Sequence, residues 1–112
     1  MLYSDLRFPD TDDNDNLIVT LTISDSGIEF TNTTLATIVT YLEEDYCKGL
    51  AIRGCSLEYS NIKSIHDLLQ TLRAIFGNSK SIVLYTHYSI SEISSMRDLL
   101  VDEILRYVDF IK

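Results

Sequence analysis

Basic residues are scarce in this chain. Nine Lys and Arg stand against seventeen Asp and Glu, a formal net charge of -8 over 112 residues. A nucleic-acid binder neutralises phosphates with clustered Lys and Arg, whereas the basic residues here are scattered singly, so that class is set aside. An acidic balance promotes solubility, and it favours a basic partner only where the charges form one patch. Long apolar runs are also missing: none approaches the roughly 20 residues that span a bilayer. The N-terminus, MLYSDLRFPD, has no basic start followed by an apolar stretch, so no signal peptide is read there. Cysteine is limited to Cys47 and Cys55, which in an α/β chain of this kind points to the cytoplasm. Neither His-x-x-x-His nor Cys-x-x-Cys spacing occurs, so no zinc site is read. Glycine is sparse too. RGCSLEYSN carries one glycine and lacks the Gly-Lys-Ser/Thr ending of a phosphate loop.

What is present is a clear alternation of strand and helix patterns in one domain over residues 1–112. Residues 1–16 read as an acidic, poorly structured segment containing PDTDDNDN. Its alternating Asp and Asn could bind calcium, but Asp15 and Leu21 stand where an EF-hand loop needs Gly and Glu, so a solvated loop is the better reading. Leu17 to Ile23, LIVTLTI, is a buried strand rich in β-branched residues. Thr31 or Asn32 then caps a helix with Leu35, Ile38, Val39 and Leu42 on one face.

The organising stretch is Lys48 to Tyr88. Leu50, Ala51 and Ile52 form a short strand between Gly49 and Gly54. Ser60 or Asn61 caps a long helix whose apolar positions run from Ile62 through Leu69 to Phe76. Gly77 stops that helix, and Ser81 to Thr86 form the next strand. Two parallel strands need a crossover, and the intervening helix has the length for one. Ser89 or Ser91 caps a further helix with Ile93, Met96, Leu99 and Leu100, and Tyr107 to Ile111 read as a last strand. The order β-α-β-α-β-α-β predicts an α/β fold: an open, mostly parallel four-stranded sheet with right-handed crossover helices on one face.

The segment KGLAIRGCSLEYSNIKSIHDLLQTLRAIFGNSKSIVLYTHYSISEI resembles the middle of the small radical S-adenosylmethionine enzymes that activate anaerobic ribonucleotide reductase. That family has a glycine-rich turn after a strand, and Arg53-Gly54-Cys55-Ser56-Leu57-Glu58 corresponds to it here. Its Tyr-Thr-Gly-Tyr strand end corresponds to Tyr85-Thr86-His87-Tyr88. The resemblance also takes in Asn16 to Ser24 and Ile104 to Lys112, and it implies a partial barrel of the radical S-adenosylmethionine type. It further implies a remnant S-adenosylmethionine pocket at Gly54, Cys55, Ser56, Thr86 and Tyr88.

The departures from that family set the functional expectation. Its Cys-x-x-x-Cys-x-x-Cys loop supplies the thiolates for a [4Fe–4S] cluster, but here Ser24 is followed by Asp25-Ser26-Gly27-Ile28. The expectation is therefore a degenerate relative with the cluster loop missing and with neither an iron–sulfur cluster nor a bound metal. It would not be an enzyme, and would act by binding a protein partner, a second copy of itself or a small ligand, with no role for nucleic acid or membrane. The alternative is a thiol-dependent enzyme with Cys55 as nucleophile and His87 as base, since both follow the ends of neighbouring strands. His66 falls beside the apolar stripe of the long helix and reads as a surface or boundary residue, and the seven tyrosines read as packing.

Overall fold

The computed structural model describes residues 2–54, 57–96 and 98–112, with the Tyr59 side chain left aside. Six strands and four helices follow in chain order. They are β1 (Tyr3–Thr11), β2 (Leu17–Ile23), β3 (Ile28–Glu29), α1 (Asn32–Glu43), β4 (Cys47–Gly54), α2 (Tyr59–Phe76), β5 (Ser81–Leu84), α3 (Ile90–Ser95), α4 (Leu99–Tyr107) and β6 (Phe110–Ile111). The strands form one sheet in the order β3-β1-β2-β4-β5-β6.

The fold is α/β, but the sheet is six-stranded and mixed, which corrects the four-stranded expectation. β2, β4, β5 and β6 pair in parallel, while β1 is antiparallel to both β2 and β3. The added strand comes from the segment expected to be loose. Leu6 and Phe8 alternate there with charged residues and pack against the core, so Tyr3–Thr11 forms a half-buried strand despite its acidic composition. The acidic residues collect instead in the turn at 12–16, where Asp12 accepts the backbone N–H groups of Asn14 (2.8 Å) and Asn16 (2.9 Å).

Strand alternation sorts the side chains onto two faces. Val19, Leu21 and Ile23 of β2, Leu50 and Ile52 of β4, and Ile82 and Leu84 of β5 are buried in one core. They pack with Ile38 and Leu42 of α1, Ile65, Leu69 and Leu72 of α2, and Val101 and Ile104 of α4. Sequence-adjacent parallel strands joined by right-handed crossovers place their helices on a single face. The opposite face, bearing Thr20, Ala51 and Val83, carries none of the helices of the described residues.

Local chemistry explains the element ends. Thr34 Oγ1 accepts the Thr31 N–H at 3.1 Å and opens α1. Ser89 and Glu92 form a reciprocal cap at α3. The long helix α2 starts at Tyr59, ahead of the expected Ser60 or Asn61 cap, with Glu58 at the cap position. The expected helix through Ile93 and Leu100 is two helices, because the Asp98 carboxylate accepts the Leu100 N–H at 2.8 Å and starts a new one. The last strand is shorter than expected, since α4 continues to Tyr107.

Arg73 secures that junction. Its guanidinium donates to the carbonyls of Tyr107 (2.8 and 2.6 Å), Gly77 (2.9 Å) and Lys80 (2.9 Å), and to the Asp109 carboxylate (2.9 Å). Asp109 also accepts the Ile82 N–H at 2.8 Å, tying the start of β6 to β5. No helix of the described residues is long and apolar enough to cross a membrane.

Candidate functional site

The C-terminal ends of parallel strands are where open α/β sheets place ligands. Here β4 ends in Gly54, at φ +87°, and a Cβ added there would lie 2.1 Å from the Ile23 carbonyl oxygen. Only glycine fits this turn, because both its backbone angle and its approach to β2 exclude a side chain. Thr86 follows β5. Its N–H donates to the Lys112 carbonyl (2.9 Å), and its hydroxyl accepts the Tyr88 N–H (3.1 Å). Gly54, Thr86 and His87 share one shallow, open depression with Arg53, Tyr85 and Lys112.

The remaining sequence candidates are placed differently. Tyr88 packs against the core, and its hydroxyl donates to Glu58 at 3.1 Å. His87 is exposed and lies against Tyr88, with ring centroids 4.4 Å apart. Cys55 and Ser56 lie outside the described residues.

Three rim residues were not singled out from the sequence. The Arg53 guanidinium sits 3.8 Å over the Tyr85 ring, and the Lys112 ammonium lies 5.9 Å from the same ring centroid. Lys112 also pairs with Asp13 at 3.0 Å, which draws the β1–β2 turn toward the end of β6. Strand alternation could have placed Arg53 and Tyr85 on the helix-free face. The Asp13 contact spans 99 residues and leaves no local signal.

Cys47, the other thiol, is in the core. β4 holds one extra residue between its pairings Leu17↔Cys47 and Ile18↔Gly49, a bulge that turns Cys47 toward the helices. Its side chain is fully buried, its Sγ–H donates to the Gly49 carbonyl (3.7 Å), and burial pushes its pKa up. A thiol so placed is an inert small apolar residue.

His66 is buried at 7 % exposure rather than lying at the surface. Its Nδ1 meets the Asp67 carboxylate at 3.1 Å, and its Nε2 meets Glu103 of α4.

A mixed sheet with helices on one face and a glycine turn at its strand-end rim defines an α/β domain. More narrowly, the chain belongs to the family described as the 4Fe-4S single cluster domain, whose model matches residues 18–111. That span takes in β2 from its second residue, β3 to β6 and the four helices of the described residues. No curated protein and no solved structure matches the chain.

This membership corrects three expectations. The chain is a member of a single-cluster iron–sulfur family, not a degenerate radical S-adenosylmethionine activase that has lost its loop. The cofactor implied by the family is an iron–sulfur cluster, against the expectation of none. The expectation of a cluster-free binding role is overturned by the same match.

The residues can be tested against such a cluster. It takes about four thiolate ligands, and this chain has two cysteines, of which Cys47 is buried in the core. Among the described residues, no group of three or more His, Cys, Asp or Glu side chains is placed to hold a metal ion. The described residues therefore do not supply a complete ligand set on their own.

Proposed function

We propose that this protein is an iron–sulfur domain that works within an assembly, its cluster ligated jointly by this chain and a protein partner or second copy. The observation that carries this reading is the family match over residues 18–111. The ligand count supports the shared arrangement. With two cysteines in the chain and Cys47 in the core, Cys55 is the thiol that remains to be offered, and the other ligands come from elsewhere.

We assign the contact to the strand-end rim, because Cys55 and Ser56 follow Gly54 in the sequence and because Thr86 and His87 share its open depression. Tyr88 supports the rim from beneath through its hydrogen bond to Glu58. The test is anaerobic purification with iron and sulfide, followed by size fractionation and assay of iron and acid-labile sulfide per chain. The expected result is iron and sulfide in the assembled fraction, none in the monomer, and loss of both in Cys55→Ser. Iron and sulfide in stoichiometric amounts on the monomer, or in neither fraction, would reject the reading.

A further inference from the structure

We propose that the cavity between the β1–β2 turn and the helix-free face of the sheet binds a small organic anion with an apolar body. It does not depend on the cluster reading, although the cavity adjoins the rim and shares Tyr85 and Lys112 with the depression there.

The cavity holds about 220 Å³, more than the roughly 150 Å³ of an apolar cavity that takes up benzene. It therefore suits a ligand the size of a short aliphatic or single-ring acid. Its floor is apolar: Ile18 of β2 and Ala51 of β4 are buried, Val83 of β5 lies beside them, and Phe110 of β6 lines the far side. An apolar floor with a few polar groups at the mouth is the usual make-up of a small-molecule site.

The partners of the charged groups at the mouth point to the sign of the ligand. Asp12 is engaged by the turn it closes, accepting two backbone N–H groups and the Asn16 side-chain amide (3.2 Å). Asp13 is paired with Lys112. Each carboxylate thus already has a donor within the fold.

Lys48 also lines the cavity, and it has no ion-pair partner among the described residues. It owes this position to the β4 bulge, where it is the extra residue that turns Cys47 inward. Of the charged groups at the mouth, Lys48 is the one with neither a hydrogen bond nor an ion pair among the described residues, and it complements a carboxylate whose hydrocarbon part rests on Ala51 and Val83.

The probes are benzoate and hexanoate, set against benzyl alcohol and hexylammonium, titrated into the full chain and followed by amide chemical shifts. Saturable shifts at Ala51, Val83 and Phe110 are expected with the two acids. Lys48→Gln should weaken them about tenfold, the size of one charge-assisted hydrogen bond. Lys63→Gln, on the helix side, should leave them unchanged. Lys48 is exposed, so its substitution leaves the fold intact, and Val83→Phe provides a second variant that fills the cavity and should abolish the shifts. The proposal is overturned if neither acid gives saturable shifts, if Lys48→Gln binds them as well as the parent, or if hexylammonium or benzyl alcohol binds more tightly.

Discussion

His66 of α2 and Glu103 of α4 are joined through the histidine Nε2, and because Asp67 holds Nδ1 at 3.1 Å, both ring nitrogens face carboxylates. Only a protonated imidazole donates from both nitrogens. The Tyr107 ring lies 5.9 Å away, and Lys63 pairs with Asp67 at 2.9 Å from the solvent side. The arrangement is a charged latch between the two helices.

Stability should therefore depend on pH through His66. Burial alone would lower its pKa, but the hydrogen bonds and charges of Asp67 and Glu103 outweigh it and raise the value above the ordinary one. A pKa raised in the folded state gives stabilisation that is fully present below the unfolded value of about 6.5 and is lost as pH climbs through the folded value. Asp67 is shifted the opposite way, chiefly by its hydrogen bond from Lys63, so its contribution disappears as pH falls below the ordinary carboxylate range. Urea midpoints should thus peak in the mildly acidic range and decline toward alkaline pH. His66→Gln should flatten the alkaline decline, and an unchanged slope in that variant would remove the latch.

Arg73 should be among the least replaceable polar residues. Its side chain is 13 % exposed and closes the ends of α2 and α4 and the start of β6 through carbonyls and Asp109. Arg73→Ala should cost about 2 kcal/mol, because several acceptors, some of them part-buried, lose their donor together. Arg73→Lys should recover only part, since an ammonium cannot reproduce the planar fork. Chemical denaturation of both variants measures the difference.

Two glycines with positive φ should respond unequally to alanine. At Gly54 an added Cβ meets the Ile23 carbonyl oxygen at 2.1 Å, whereas at Gly77, φ +56°, it meets nothing within 4 Å. Gly77→Ala should cost about 1 kcal/mol from backbone strain alone. Gly54→Ala should cost more than that, because β2 and β4 must also separate. Thermal unfolding of the pair reads the order directly.

Cys47 should resist alkylation in the native protein. Its full burial and raised pKa leave little accessible thiolate. Iodoacetamide followed by mass spectrometry should modify it only after denaturation, and rapid native labelling would contradict its place in the core.

Several elements were legible because their causes are local. The β-branched run Leu17–Ile23, the apolar spacing from Ile62 to Phe76, and the caps at Thr31 and Ser89 all act within a few residues. The Asp98 cap is also local, yet the continuous apolar pattern from Ile93 to Leu105 masked it. β1 was missed because its composition is acidic, and alternation over Tyr3–Thr11 gains meaning only once β2 offers an edge to pair with. At the rim, the strand-end position of Gly54, Thr86 and His87 follows from element order, but Arg53 over Tyr85 and Lys112 on Asp13 do not. The family bond to iron–sulfur proteins was not readable from cysteine spacing, since the chain has only Cys47 and Cys55.

The sequence by itself determined the α/β class, the parallel order of β2, β4, β5 and β6, and the apolar faces that meet in the core, because periodicity and short-range capping are written into neighbouring residues. Only the tertiary structure decided the antiparallel pairing of β1 with β2 and β3, the ion pairs of His66 and Arg73, and the cavity beneath the 12–16 turn. Each depends on residues far apart in the chain reaching one place, and the free energy of such contacts exists only after the sheet has formed.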